Sequence, residues 1–273
     1  MTTFRLLNTD FNSAAFNMAL DEVLINRIAK GQSAPTLRFY RWKPSAISIG
    51  YFQSLETEVD VEQCQKHGID VVRRQTGGGA VFHDDEITYS MHVPLSLNLL
   101  SPKVLESYAQ ICQALILGLN KIDIPAVFAP INDIVVESPS LVHAESGQKI
   151  MQKISGNAQT RKQGILLQHG TILKTVDVAK MFDLLKVPDE KMKGKLISDI
   201  KQRVTSIDAY LAQKAPNSAK LSFQQISETL IDGFRQAFSS VDFIEDSLTE
   251  AEIAEANALA SSKYATNSWN YQR

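Results

Sequence analysis

The stretch Arg73-Arg74-Gln75-Thr76-Gly77-Gly78-Gly79-Ala80-Val81-Phe82-His83-Asp84 sets three consecutive glycines between two arginines and a His-Asp pair. Glycine permits positive φ and has no side chain, so backbone amides can approach a bound phosphate or carboxylate closely. Such nests of amides carry partial positive charge, and neighbouring arginines add further donors. The stretch therefore predicts an anion-binding loop.

The segments on either side of the glycines predict strands. Ile69–Val72 precedes the loop, and Ala80–Phe82 and Ile87–Val93 follow it, all rich in β-branched or aromatic residues. A dinucleotide fingerprint needs spaced glycines that open a helix, and a Walker loop needs Gly-Lys-Ser/Thr, so neither pattern fits. A simple hairpin turn is the alternative, but three adjacent glycines cost conformational entropy that a turn does not require.

The composition is that of an ordinary globular protein. The chain has 273 residues, of which 44% are hydrophobic and 21% are charged. Its net charge of −2 argues against a nucleic-acid partner. The N-terminus lacks the apolar region of a signal peptide, and no run reaches the ~18 apolar residues of a membrane span. We expect a cytoplasmic protein with neither nucleic acid nor membrane as partner.

Periodicity and capping signals predict a mixture of strands and helices. The first predicted helix is capped by Asn12 or Ser13. A second strong helix begins at Ser101-Pro102, with Leu105 and Cys112 on its buried stripe. The other predicted elements are strands at Phe4–Leu7, Thr36–Trp42, Ala46–Phe52, Ile134–Val136 and Ile165–Leu173, and a surface helix at Val59–His67.

The second part of the chain is predicted to be mainly helical. Two capping boxes are legible there, Ser222 with Gln225 and Thr249 with Glu252. We expect one domain over residues 1–273, with a sheet core and the functional site in 1–175 and a mainly helical part in 176–273. The predicted fold class is α+β, with a central mixed sheet flanked by helices.

Four segments place small or polar residues at strand ends: Arg73–Asp84, Asn132-Asp133, Lys153–Arg161 and Gln168–Thr171. A lysine followed by Ser-Gly-Asn suggests a cation where the backbone approaches a ligand. Taken alone, Lys153 is explained better as an exposed lysine on an edge strand. The joint occurrence of the four segments makes the first interpretation the stronger one.

In that order, the four segments resemble the lipoate-protein ligase A family of the biotin and lipoate protein ligase superfamily. The resemblance extends from Phe16–Glu22 to Trp269-Asn270, and the helical part looks most like the short archaeal-type catalytic subunits. It implies a catalytic domain with the fold shared by biotin ligases and class II aminoacyl-tRNA synthetases. It also implies that the accessory C-terminal domain of full-length ligases is absent, so that a separate accessory subunit could be needed for activation.

The family reaction implied by this resemblance has two steps. Lipoate and ATP, with Mg²⁺, give lipoyl-AMP, and a lysine of an acceptor protein then takes the lipoyl group. The acceptors implied are apo lipoyl domains of 2-oxoacid dehydrogenase E2 subunits and the glycine cleavage H protein. A basic cluster at Lys191, Lys193, Lys195, Lys201 and Arg203 could meet such an acidic domain, although a solvated helix face explains it better.

The resemblance assigns site residues to this chemistry. Lys153 is the expected catalytic residue, because a cation stabilises the charge that develops when a carboxylate attacks a phosphate. Asp133 is a candidate Mg²⁺ ligand. The apolar slot for the acyl tail has Phe39, Tyr40, Phe52, Val81 and Phe82 as candidates. The expected ATP and lipoyl-AMP contacts are Arg73, Arg74, Gly77, Gly78, Gly79, Ala80, Val81, Phe82, His83, Asn132, Asp133, Lys153, Gly156, Ala158 and His169.

Two alternatives remain beside the ATP-dependent ligase. Octanoyl and lipoyl transferases of the same fold resemble the chain closely, but they use a cysteine in the loop before the lysine motif. The corresponding segment, Ala129–Gln152, has none, and of the two cysteines Cys64 is expected on a surface helix and Cys112 in the core. This favours the ligase. The other alternative is a non-catalytic lipoate-binding protein.

Overall fold

The computed structural model describes residues 2–143, 146–186, 193–216 and 219–273. The strands are β1 Thr2–Asn12, β2 Thr36–Trp42, β3 Ala46–Ile49, β4 Asp70–Arg73, β5 Val81–His83, β6 Glu86–Pro94, β7 Ala126–Ala129, β8 Asp133–Val142, β9 Lys149–Lys162, β10 Ile165–Leu173 and β11 Val241–Asp246. The helices are α1 Ala14–Ala29, α2 Leu55–Glu58, α3 Val61–Lys66, α4 Val104–Asn120, α5 Val178–Leu184, α6 Lys193–Arg203, α7 Ile207–Lys214, α8 Phe223–Ala237, α9 Glu250–Leu259 and α10 Asn267–Asn270. A 3₁₀ turn at Leu95–Leu97 and a π turn at Ala260–Tyr264 complete the elements.

In the described part of the chain the strands form two sheets. The larger has eight strands in the order β11-β1-β2-β6-β10-β9-β8-β7, and the smaller has three in the order β4-β3-β5. Strand β1 runs parallel to β11 and to β2, whereas every pairing from β2 through β6, β10, β9 and β8 to β7 is antiparallel. Helices cover the larger sheet, so the predicted mixed α+β class is confirmed.

Alternation along β6 separates an apolar face of the larger sheet from a polar one. Ile87, Tyr89, Met91 and Val93 point into the main core, which α4 and α8 complete. The intervening residues of β6, which begin at Glu86, point to the opposite face. That face is covered by α1 and by residues of the smaller sheet, and it carries most of the buried polar groups.

Several predicted elements agree with the structure. The strands at Thr36–Trp42 and Ile165–Leu173 have the predicted bounds. Ser13 caps α1 by accepting a hydrogen bond from the Phe16 amide. Both predicted capping boxes are present, at the starts of α8 and α9.

Other elements differ from the prediction. Helix α4 begins at Val104 and not at Ser101-Pro102, so Leu105 falls in the exposed first turn and is 47% exposed. Cys64 is buried, because the short helix α3 packs its inner face against β3. Strand β11 was not predicted. It pairs with β1 between residues 239 positions apart in sequence, which no local pattern can reveal. Lys191 lies outside the described residues.

No helix in the described ranges is both long enough and apolar enough to cross a membrane.

Candidate functional site

The glycine loop between β4 and β5 is held from within by Arg74. The Arg74 guanidinium donates to the carbonyls of Gly77 and Gly79, at 2.8 Å each, and to the Ser48 carbonyl at 3.0 Å. Gly78 has φ of +100°, and its carbonyl oxygen would lie 2.0 Å from a Cβ placed on Gly50. The loop therefore needs glycine at both positions, and these Arg74 donors bind the loop itself.

Arg73 ties the base of the loop to the C-terminal segment. Its guanidinium donates to five backbone carbonyls, two of which belong to Trp269 and Asn270. The Arg73 amide donates to Asn270 Oδ1 at 2.7 Å, and Trp269 Nε1 donates to the Arg73 carbonyl at 2.9 Å. Arg73 is thus a buried structural cation here, and ligand contacts by either arginine stay predictions.

A chain of buried polar groups runs from α1 to the loop. Asp21 Oδ2 lies 3.2 Å from His169 Nδ1, and His169 Nε2 lies 2.7 Å from the Thr76 hydroxyl. Arg38 and Ser90 donate to the other oxygen of Asp21. Burial would raise the pKa of Asp21, but His169, Arg38 and His92 lower it to about 2, so Asp21 is a carboxylate. Burial lowers the pKa of His169.

His83, at the end of β5, is packed and doubly hydrogen-bonded. Its ring stacks on Trp42 with centroids 3.9 Å apart. Nε2 lies 2.7 Å from the Ser48 hydroxyl, and Nδ1 lies 2.7 Å from Glu86 Oε1. Both ring nitrogens therefore have protein partners, and His83 orients β5 against β3 and β6.

Lys153 and Asp133 form the accessible ion pair of the site. Lys153 Nζ lies 2.7 Å from Asp133 Oδ1, and the two side chains are 41% and 32% exposed. Gly156 lies beneath them, since a Cβ there would be 2.9 Å from both Cε and Nζ of Lys153. This geometry arises from a bulge between β8 and β9, where Ile134 pairs with Ser155 but Val135 pairs with Lys153.

The Asn132-Asp133 turn is fastened to β9. The Asn157 amide nitrogen and its side-chain Nδ2 both donate to the Asn132 carbonyl, at 3.1 and 2.9 Å. Tyr89 donates to Asn157 Oδ1 at 2.7 Å. Asp133 pairs with Gly156, so the carboxylate reaches Lys153 from the neighbouring strand.

Strands β9 and β10 connect the predicted residues at the two ends of the site. Ala158 pairs with His169 and Gly156 pairs with Thr171, so β9 and β10 connect the Lys153 end of the site with the histidine below the glycine loop. Among the acyl-slot candidates, Phe39 lies in the main core against Phe234, away from this face. The other slot candidates stay predictions.

A cleft of about 620 Å³ adjoins Lys153 along the backbone. Gln152, which precedes Lys153, lines it, and so does Val204, which forms a bridge with Lys153. The rest of its wall is partly apolar, with Phe82 and Leu173 among its residues. Lys153 and Asp133 are not among the residues that line the cleft, whereas four acidic side chains are.

The described residues contain no group of three or more His, Cys, Asp or Glu placed to hold a metal ion. Asp133 has Lys153 as its close neighbour. The Mg²⁺ role of Asp133 therefore stays a prediction.

Sequence reasoning missed several members of this site. Asp21, Arg38 and Thr76 belong to the chain of buried polar groups below the glycine loop, and Glu86 orients His83. The sequence analysis assigned no site role to any of these four residues. The available signal was polarity on the inner face of α1: Asn17 and Asp21 lie four residues apart among apolar residues, and a charge there needs a buried partner.

Comparisons with known proteins place the chain in a family. The sequence profile of the lipoyl protein ligase A/B catalytic domain matches residues 13–235. Octanoyltransferase LipM of Kyrpidia tusciae is 36% identical over 285 residues, with 100% of both chains covered. Octanoyltransferase LipM of Halalkalibacterium halodurans is 33% identical over 286 residues, again with 100% of both covered.

Solved structures agree on the fold. A structure of an archaeal lipoylation system, a bi-partite lipoate protein ligase and its E2 lipoyl domain from Thermoplasma acidophilum, superposes with a TM-score of 0.81 at 29% identity. It covers 99% of this chain and 97% of that one. Lipoate-protein ligase A bound with ATP gives a TM-score of 0.75 at 27% identity, with 99% of each chain covered.

The preference for an ATP-dependent ligase over a transferase is wrong. Similarity over the full length of the chain connects it with octanoyltransferases, at 33% and 36% identity. The preference rested on the missing cysteine and the Asn132-Asp133 pair. A missing thiol excludes only a route through a thioester on the enzyme; it does not exclude acyl transfer. The chain is an enzyme of the lipoate ligase and transferase group, and it belongs to the lipoyl protein ligase A/B catalytic-domain family.

Proposed function

We propose that this protein transfers an octanoyl or closely related acyl group from a carrier-protein thioester to a specific lysine of a lipoyl domain or H protein. The observation that carries the proposal is the half-exposed Lys153–Asp133 pair above Gly156. It lies in a chain that aligns end to end with octanoyltransferases.

Lys153 has the position and charge that acyl transfer requires. When an amine attacks a thioester, negative charge develops on the carbonyl oxygen, and a preorganised cation stabilises the transition state more than the ground state. The Lys153 side chain is 41% exposed, so it can meet a substrate from solution. Removing one donor of this kind typically lowers kcat by about 10²–10³-fold.

The cleft that adjoins the backbone of Lys153 offers partly apolar surface to an acyl chain. Phe82, Leu173 and Val204 supply apolar surface within a volume of about 620 Å³. Binding an eight-carbon chain there removes apolar surface from water, which contributes roughly 0.8 kcal/mol for each buried methylene. The acceptor domain would approach from the open side of the same cation.

Intact mass spectrometry of an apo lipoyl domain tests the proposal. The protein is incubated with the domain and octanoyl carrier protein in one arm, and with lipoate, ATP and Mg²⁺ in the other. We expect octanoylation in the first arm. Modification in the second arm alone would overturn the proposal and restore the adenylate route, with or without an added accessory subunit.

A pair of lysine variants on β9 provides the matched comparison. Lys153→Met should lower the transfer rate by about 10²–10³-fold. Lys149→Met removes the same charge from the same strand, but Lys149 is exposed, and among the described residues its polar partners are the Pro139 carbonyl and, at 4.0 Å, Glu137. It should transfer at the unmodified rate. Equal rates for the two variants would count against the role of Lys153.

A further inference from the structure

The two thiols of the chain are shielded from any acyl donor. Cys64 is fully buried among the apolar residues of β3 and α2. Cys112 is fully buried in the main core, where Gln168 Nε2 lies 3.9 Å from its sulfur. Burial raises the pKa of Cys64 to about 11 and that of Cys112 to about 12. At neutral pH roughly one thiol in ten thousand or fewer would be a thiolate, the form that attacks carbonyls.

Thr76 is the hydroxyl most like an activated nucleophile, but it is not presented to a substrate. Its hydroxyl lies 2.7 Å from His169, and His169 lies 3.2 Å from Asp21, as in a nucleophile, base and acid. Thr76 is 1% exposed, however, and its carbonyl accepts from the Tyr51 amide at 2.8 Å. The chain of three groups therefore fastens the underside of the glycine loop.

We propose that the acyl group never resides on this enzyme: the acceptor lysine attacks the donor thioester directly, with Asp133 as proton acceptor and Lys153 at the oxyanion. This inference rests on the proposed function and specifies its mechanism. The amine nitrogen bonds to the carbonyl carbon while the ammonium of Lys153 stabilises the oxyanion. The Asp133 carboxylate takes the amine proton, the C–S bond breaks, and the proton passes to the departing thiolate of the carrier.

The Lys153–Asp133 ion pair suits both roles, stabilisation of the oxyanion and acceptance of the amine proton. Direct attack requires donor and acceptor on the enzyme together, hence an open site with a cation and a base side by side. Lys153 Nζ and Asp133 Oδ1 are 2.7 Å apart, and about a third or more of each side chain is exposed. The Asp133 oxygen nearest Lys153, Oδ1, is itself buried, so an amine that approaches the cation meets the carboxylate from its exposed side.

The decisive measurement is the intact mass of the enzyme itself. It is mixed with octanoyl carrier protein in the absence of acceptor, and then apo lipoyl domain is added. We expect no acyl adduct on the enzyme in the first stage and octanoyl lipoyl domain in the second. An adduct that forms and then disappears on addition of acceptor would overturn the direct route, and peptide mapping would show whether a cysteine or Thr76 carries it.

Initial-rate kinetics give an independent readout. Variation of donor at several acceptor concentrations should give intersecting double-reciprocal lines, because a ternary complex precedes chemistry. Parallel lines would indicate an acyl-enzyme and overturn the inference. The Cys64→Ala/Cys112→Ala variant should keep transfer activity within a few-fold. If it fails to fold, the mass and kinetic measurements on the unmodified protein still decide.

Asp133 is tested by chemical rescue. Asp133→Ala should lower kcat by about 10²–10³-fold, and added formate should restore part of the rate by replacing the lost base. Glu137→Gln, which alters an exposed carboxylate on the same strand, should have no effect. A rate unaffected by Asp133→Ala, or a loss that formate does not repair, would remove Asp133 from the mechanism.

The outcomes separate the two levels of the proposal. Transfer from the thioester with an acyl-enzyme retains the proposed function and overturns the direct route. No transfer from the thioester overturns both.

Discussion

Gly156 gives Lys153 its place in the site. A Cβ at this position would lie 2.9 Å from Cε and Nζ of the lysine and 3.7 Å from Asp133 Oδ1. A methyl group would therefore displace the end of a flexible side chain and would not press on backbone atoms. Gly156 thus serves the ion pair and not the fold.

Gly156→Ala should lower the transfer rate by roughly 10- to 100-fold, because an ångström of misplacement at a catalytic group has an effect of about that size. The free energy of unfolding, measured with urea, should change by less than about 1 kcal/mol. Gly170→Ala is the contrasting variant. Its Cβ would lie 2.8 Å from the Gly156 carbonyl oxygen, and 2.1 Å from Asn157 Oδ1, so it should lose both activity and stability. A Gly156→Ala protein with full activity would contradict this account.

At the scale of elements, α4 and α8 approach each other through two glycines. A Cβ on Gly233 would lie 2.1 Å from the Ala114 carbonyl oxygen and 2.6 Å from the Gly118 amide nitrogen. A Cβ on Gly118 would lie 2.7 Å from the Leu230 Cα. The two backbones are therefore nearly in contact, and this close approach lets Phe234 reach the core beneath β2 and β6.

Gly233→Ala should destabilise the protein by about 3 kcal/mol or more, since the methyl group would force the helices apart. Gly194→Ala is the matched control, because no atom of the residues that the structure describes lies within 4 Å of the added Cβ in α6. It should be neutral or slightly stabilising, by up to about 1 kcal/mol, because alanine favours a helix over glycine. Urea unfolding of the two variants measures the difference; equal midpoints would refute the close packing.

The capping boxes show how far local sequence reaches. Ser222 and Gln225 exchange hydrogen bonds at the start of α8, as their spacing predicts. The start of α4 was misplaced, because Ser101 followed by Pro102 is a frequent cap but here belongs to the preceding loop, where the Lys103 amide donates to the Ser101 hydroxyl. Helix propensity alone could not show that Lys103 is the residue that directly precedes α4.

At the scale of the whole molecule, the buried polar cluster below the site should set the response to acid. The pKa of His92 is lowered to about 4. Burial is the largest cause, and Arg38 and His169 lower the pKa further. The unfolded chain binds this proton near the ordinary value of about 6.5, so it holds more protons than the folded chain between these values. Stability should therefore fall as pH decreases from about 6.5 to 4, by up to about 1.4 kcal/mol per unit for this group.

His92→Gln should flatten that dependence. The glutamine amide can still donate to the Asp21 carbonyl, which accepts from His92 at 3.2 Å, but it takes no proton. Urea unfolding between pH 7 and 4 measures both slopes. Parallel curves would show that His92 does not control acid stability. Asp21, whose pKa is lowered to about 2, contributes a further loss only below its ordinary value of about 4.

The C-terminal segment and the glycine loop also form one unit across the molecule. Asn270 accepts from the Arg73 amide at 2.7 Å and donates to the Tyr264 carbonyl at 2.9 Å. Asn270→Ala should leave both groups unpaired and cost about 2–4 kcal/mol. Hydrogen exchange at residues 73–79 should accelerate. Tyr271→Ala, at an exposed neighbour, is the control, and equal exchange in the two variants would contradict the coupling.

The sequence by itself determined many of the elements and the residues that are proposed for the site. Periodicity and capping located β2, β10, α8 and α9, because these signals lie within a few residues of each other. The glycine loop, Lys153 and Asp133 were recognisable since their residue types are unusual at strand ends. The family followed from the order of these motifs.

Only the tertiary structure decided what each residue does. The sequence suggests that Arg73 and Arg74 donate hydrogen bonds to a ligand. In the structure their guanidinium groups donate to backbone carbonyls. Asp21 and Thr76 meet through His169 although each comes from a different element. Cys64 was expected at the surface and is buried. The physical reason is common to all of them: burial and hydrogen-bond partners are set by strand register and packing between distant segments, which local sequence does not encode.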